Sequence, residues 1–223
     1  METKEFAPSI QMRFNFTYTF LVGAATLTNL AIAIDRKGKD ATETEQSQHR
    51  AYIAGSIMQS VAALESEVWS LLHHGPGHHL GSTGQDNKSS AILSIIANSI
   101  DNLPLLRKYD LILQITRDKK LDLGGQPMQE LSLVIGLRNE LTHFKSLWTD
   151  ELDRKELFKA LEALDATPPS FYLPGGNFFP HICLSFRRAK WSLDTVVSFI
   201  DFYYKELGIK SPLEGYDRKT ITV

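Results

Sequence analysis

The chain has 223 residues, enough to bury a substantial core as one large domain or two small ones. Its 43% hydrophobic and 22% charged residues are those of an ordinary globular protein. A formal net charge of −2 and a pI near 6.4 exclude the global basic field of a long-groove DNA or RNA binder, and leave room for a small site that meets one or two phosphates.

From Phe16 to Ile34 no residue is charged over 19 positions, a length that could just span a bilayer. Thr17, Tyr18, Thr19, Gly23, Thr26, Thr28 and Asn29 weaken insertion, so the expected element is a buried helix from about Thr17 to Ile34. Upstream, Glu2 and Glu5 balance Lys4 and Arg13, which is not the positive leader of a signal peptide, and Ala31-Ile32-Ala33 is a chance match to a cleavage site. A second helix is expected from about Thr44–Gln48 to the stop at Gly75-Pro76-Gly77. Its apolar stripe is Ile53, Ile57, Val61, Leu64, Val68, Leu71 and Leu72. A polar loop over Gly81–Ser90 leads to a short helix over Ser90–Ile100. A compact segment over Leu103–Thr116 follows, with Pro104 in its first turn.

Gly124-Gly125 marks a turn over Asp122–Pro127. The next helix should begin near Pro127 and run to about Ser146, with Leu133, Leu137, Leu141 and Phe144 on one side. A weaker helical pattern covers Asp150–Leu164. Pro168, Pro169, Pro174, Gly175, Gly176 and Pro180 make a long irregular crossing. The last helix, about Arg187–Leu207, carries Trp191, Val196, Phe199, Ile200 and Tyr203 at core spacing; Phe202 and Tyr204 read as packing aromatics as well. Strand signals are few. The expected class is all-α, an up-and-down bundle of four to five main helices with short helical insertions. We expect a single domain over residues 1–223, its core at about 17–207 and short extensions at either end.

Chemistry concentrates in Arg138-Asn139-Glu140-Leu141-Thr142-His143. Arginine can grip a phosphate through two parallel hydrogen bonds, and histidine can exchange a proton near neutrality. Asn139 and His143 are four apart and share a helix face, whereas Arg138 and His143 are about 140° apart on an ideal helix. Two copies facing each other across a twofold axis would bring an arginine and a histidine from different subunits together. The alternative is an arginine and a histidine that cap or pair within the bundle. Glu65 flanks the stripe of the second helix, beside Glu67, and a half-buried carboxylate there wants a partner such as Arg138 or His143.

His73, His74, His78 and His79 cluster at the end of the second helix. Without Cys, Asp or Glu among them they read as a solvated helix terminus rather than a metal site, and no metal or cofactor is expected. The lone Cys183, between Ile182 and Leu184, reads as a small buried hydrophobe and fits a reducing compartment. No phosphate-cradling glycine loop, serine nucleophile elbow or paired-cysteine motif is present.

Arg138-Asn139-x-x-x-His143 after a leucine-rich helix resembles the motif of the HEPN superfamily (higher eukaryotes and prokaryotes nucleotide-binding domain), an arginine with a histidine four to six residues beyond. Leu103-Pro-Leu-Leu-Arg-Lys-Tyr109, the Gly124-Gly-Gln-Pro-Met128 turn, Ala62-Ala-Leu-Glu65 and Ala189-Lys-Trp191 resemble a bacterial HEPN-like family in the same order, over roughly residues 50–207. The resemblance implies an all-α homodimer whose motifs meet at the interface and a metal-independent endoribonuclease. In it the ribose 2′-OH attacks its own phosphate and leaves a cyclic phosphate end. It implies His143 as general acid/base, Arg138 as transition-state stabiliser, Asn139 as an orienting residue and Glu65 in support. It further implies a cytoplasmic toxin or anti-phage defence component that acts on RNA, restrained by an antitoxin or other regulatory partner, with no membrane association. The alternative is a non-catalytic HEPN-like nucleotide- or RNA-binding or assembly module. Where toxin relatives controlled by a nucleotidyltransferase carry a tyrosine two residues after the histidine, this chain has Lys145. Where many relatives place an asparagine near the second helix's glutamate, it continues Glu65-Ser-Glu-Val-Trp69.

Overall fold

The computed structural model describes residues 15–76, 87–144, 155–172 and 177–223. Among them every regular element is helical and no strand occurs, so the chain is all-α. The helices are α1 (Thr17–Asp35), α2 (Glu43–His74), α3 (Asn87–Ile96), α4 (Leu105–Arg117), α5 (Met128–Thr142), α6 (Glu156–Leu164) and α7 (Phe186–Glu206). The expected polar loop before Ser90, the chain just after Phe144 and the Pro174-Gly175-Gly176 crossing lie partly or wholly outside the described residues.

α2 is the axis of the molecule. It begins at a capping box, in which the Thr42 hydroxyl accepts from the Glu45 N–H and the Glu45 carboxylate accepts from the Thr42 N–H. It ends at Gly75, whose φ of 75° is a conformation glycine adopts without strain. α1 runs antiparallel along it: Thr17 lies opposite Ala63 and Glu67, and Thr28 opposite Ser56. The two helices approach closely at Gly55, where a Cβ would meet Leu27 at 3.0 Å, and at Gly23, where it would collide with the Gln59 side chain.

One helix among the described residues, α1, is long and apolar enough to cross a membrane. Its Leu21, Ala24, Ala25, Thr28, Ala31 and Ile34 are nonetheless buried inside the fold, while Thr19, Thr26 and Asn29 face outward. The Thr28 hydroxyl pairs with that of Ser56 at 2.8 Å, so its polarity is satisfied inside the core.

α5 and α7 pack antiparallel, the Trp191 indole N–H donating to Glu130 at 3.2 Å. Two apolar clusters result. One joins Leu64, Val68, Tyr109, Leu131, Phe199 and Tyr203; the other joins Ile53, Ile57, Leu137, Phe158, Phe179 and Cys183, and Trp191 packs against both. Cys183 is fully buried, and burial pushes its thiol up to about 12. Arg188, also buried, donates to the Leu161 and Asp165 carbonyls at 2.7 and 2.8 Å, closing the C-terminal end of α6.

Beyond α7 the chain folds back. Leu213 and Ile221 enter the first cluster, Tyr216 stacks on Tyr18 at 3.8 Å, and Arg218 grips Asp201 through two hydrogen bonds of 2.8 Å. The core therefore reaches Ile221. These are short 3-10 turns, too brief for apolar periodicity to reveal.

Two buried polar groups make the packing testable. Glu67, with no exposed surface, accepts from Thr17 at 2.8 Å, from Asn15 at 3.0 Å and from the Tyr204 hydroxyl, tying α1 and α7 to α2. Burial, with the Glu67 charge adding to it, holds the Tyr204 phenol well above its ordinary range. Glu67→Ala removes the acceptor these donors share and should lower unfolding stability by about 3 kcal/mol in a urea titration; a loss below about 1 kcal/mol would remove Glu67 from this role.

His49 is fully buried on α2 with neither ring nitrogen hydrogen-bonded, against the edge of Phe171 at 5.0 Å. Burial, reinforced by Arg50 and opposed by Asp35, lowers its pKa from 6.5 to about 4. Between those values the unfolded chain holds a proton that the folded chain does not. The contribution of His49 is thus intact above pH 6.5 and drains away toward pH 4, by up to about 3 kcal/mol. Urea titrations at pH 7 and pH 4.5 should show a smaller acid loss for His49→Leu than for the wild type; equal losses would contradict this.

Candidate functional site

The rotation of α5 is fixed by its apolar positions. Met128, Leu131, Val134 and Leu137 are buried and follow helical spacing. Arg138, four residues after Val134, is therefore carried on the inner flank toward α2. Asn139, about 100° further round the helix, is exposed, as is His143 four residues later. The helix expected to continue to about Ser146 ends at Thr142. His143 leaves helical geometry with φ −114° and ψ 32°, its N–H still donating to the Asn139 carbonyl at 2.9 Å. The next ring, Phe144, stacks on Phe179 at 5.5 Å while 47% exposed, which accounts for the chain turning away. Lys145 and Ser146 lie outside the described residues.

The Arg138 guanidinium forms an ion pair with Glu65 on α2, the partner for this carboxylate that the sequence allowed. The arginine side chain is 21% exposed and the glutamate 45%. The Arg138 Nε is buried and has no hydrogen-bond partner. Around the pair, the Thr142 hydroxyl donates to the Arg138 carbonyl at 2.9 Å, and Lys155 bridges to Glu140 at 2.5 Å, linking α5 to the start of α6. Within one chain the fold brings Arg138 and Glu65 together, and Asn139 and His143 onto one exposed side. Neither a hydrogen bond nor an ion pair joins Arg138 to His143.

Sequence reasoning missed a neighbouring arrangement. Glu65, Trp69 and His73 lie at successive intervals of four on α2 and so share a face. Lys108 of α4 places its ammonium 5.0 Å above the Trp69 ring, and the exposed His73 imidazole stacks on Trp69 at 5.3 Å and 20°. Lys108 is only 8% exposed. The spacing of four was the available signal, but nothing in α4 announced that its lysine would arrive there. His74 ends α2 beside His73, while His78 and His79 lie outside the described residues. Among the described residues no three His, Cys, Asp or Glu side chains gather as metal ligands.

Chemically, the arrangement offers an anion-binding guanidinium held by an exchangeable carboxylate, an exposed imidazole one helix end away, and a second cation over an aromatic ring. Comparison with family models, with curated proteins and with solved structures finds no match to this chain.

Because Glu65 is nearly half exposed, water screens its attraction to Arg138. Glu65→Gln should change unfolding stability by less than about 1 kcal/mol in a urea titration. A loss of several kcal/mol would make the pair a structural strut instead of an exchangeable contact.

Proposed function

We propose that the chain is a HEPN-like, metal-independent endoribonuclease that acts as a homodimer in the cytoplasm. Its setting is that of a toxin or anti-phage defence component held in check by a regulatory partner. The observation that supports this reading is the disposition of α5. Arg138 lies on a half-buried flank against a carboxylate that a phosphate can replace, and His143 stands exposed at the end of the same helix.

The step is an internal transesterification. The ribose 2′-oxygen attacks the adjacent phosphorus and loses its proton to a base, the bond to the 5′-oxygen breaks, and that oxygen takes up a proton. The products are a 2′,3′-cyclic phosphate and a 5′-hydroxyl. His143 serves as the proton acceptor or donor. Arg138 meets the charge that grows on the phosphoryl oxygens, with geometry suited to two of them at once. Asn139, exposed beside His143, orients phosphate or imidazole. Since Arg138 and His143 diverge around the helix, the two functions come from different subunits of a dimer.

A second reading draws on the same ion pair. An Arg138 already neutralised by Glu65 suits a non-catalytic HEPN-like module that binds nucleotide or RNA or mediates assembly.

RNA cleavage in the presence of a metal chelator separates the two. His143→Ala should lower the rate by about two to four decades while leaving the dimer intact by size-exclusion chromatography with light scattering. Equal rates for the variant and the wild type would leave the binding module as the better account.

A further inference from the structure

We propose that the face of α2 bearing Glu65, Trp69 and His73 is a track for single-stranded RNA that leads away from Arg138 toward the C-terminal end of α2. This rests on the ribonuclease reading, in which Arg138 holds the phosphate that is cut. The three α2 residues repeat every four positions, so each step advances about 6 Å along the helix and the face extends about 12 Å from Glu65 to His73. A guanidinium from α5 caps the first position and an ammonium from α4 the second.

The Lys108 ammonium carries the strongest part of the case. The residue is 8% exposed, and its backbone N–H donates to the Pro104 carbonyl, yet among the described residues its ammonium has neither a carboxylate partner nor a hydrogen bond. The stem is covered, and the ammonium keeps only a small accessible area. Its only described electrostatic contact is the face of the Trp69 ring. A cation fixed in place by packing, with no anion to satisfy it among the described residues, is preorganised for an anion from outside, and in line with Arg138 that anion is a second phosphate of the same strand.

The His73 ring extends the Trp69 stack to the exposed end of the helix. An exposed imidazole stacked on an indole, with the His74 ring 6.4 Å away and tilted by 53°, offers a platform for one unpaired base. Double-stranded RNA keeps its bases stacked inside the duplex and offers nothing to such a platform, which selects the single strand. Two phosphate contacts and one base suit a chain with no global positive field.

The test is binding of a short, fluorescent, fully 2′-O-methyl oligoribonucleotide to the full-length protein across a salt series, since the methyl group blocks the 2′-oxygen attack and separates binding from cleavage. Lys108→Gln should weaken binding and reduce the slope of log affinity against log salt by about 0.7, the value for one phosphate contact on a single strand. Lys108→Arg should restore both. His73→Ala should weaken binding ~5-fold or more with little change in slope. Lys39→Gln, at the far end of α2, should match the wild type, and a duplex of the same sequence should be insensitive to His73→Ala. Wild-type affinity and slope for Lys108→Gln and His73→Ala, in a protein whose metal-independent cleavage still depends on His143, would overturn the track and leave the ribonuclease standing. Absence of any binding by the wild type would overturn the track, and the ribonuclease would fall with it only if metal-independent cleavage of the unmodified strand were absent too.

Discussion

The carboxylate of Glu67 is the constraint on which the rest of the packing depends. A charge with no exposed surface is costly unless several donors surround it, and here Asn15, Thr17 and Tyr204 supply them from both sides of α2. Satisfying that one group fixes where α1 begins relative to α2 and how α7 is rotated at its C-terminal end. Tyr109 and Tyr203 join the same region: the Tyr109 hydroxyl donates to the Leu64 carbonyl and the Tyr203 hydroxyl to the Tyr109 carbonyl. The aromatic residues of α7 thus serve the core at both their apolar and polar ends.

With α2 anchored in this way, its remaining faces are free to position chemistry. One side receives α5, whose buried stripe leaves no choice of rotation: Leu137 points inward, Arg138 is carried to the flank and Asn139 outward. The consequence for mechanism is geometric. On an ideal helix Arg138 and His143 lie about 140° apart, which is why the proposed reaction draws them from two copies, with Asn139 and His143 exposed to meet the second.

Electrostatics on the α2 face follow a different logic from the buried network. Glu67 is saturated by donors and unavailable, whereas Glu65, one turn-fraction away, is screened by water and held by a single guanidinium. Next to it, Lys108 is fixed over Trp69 with no carboxylate of its own among the described residues. Two carboxylates two residues apart therefore have opposite characters, because positions two apart on a helix face about 200° from each other and meet different neighbours.

The amino-acid sequence by itself determined the helical class, the extents of α1 and α7 and the end of α2 to within a residue or two, and the partnership open to Glu65, because apolar periodicity and glycine or capping signals are local properties. Long stripes such as Ile53 to Leu72 leave little freedom. Only the tertiary structure decided which of Glu65 and Glu67 would be sealed in the core, that His49 would be buried without a hydrogen bond, that Lys108 would lie over Trp69, and that residues after 207 would return to complete the core through Ile221. It also ended α5 at Thr142, where Phe144 turns aside to stack on Phe179. Each of these depends on a residue far away in the chain, and no local pattern records what a distant segment will bring into contact.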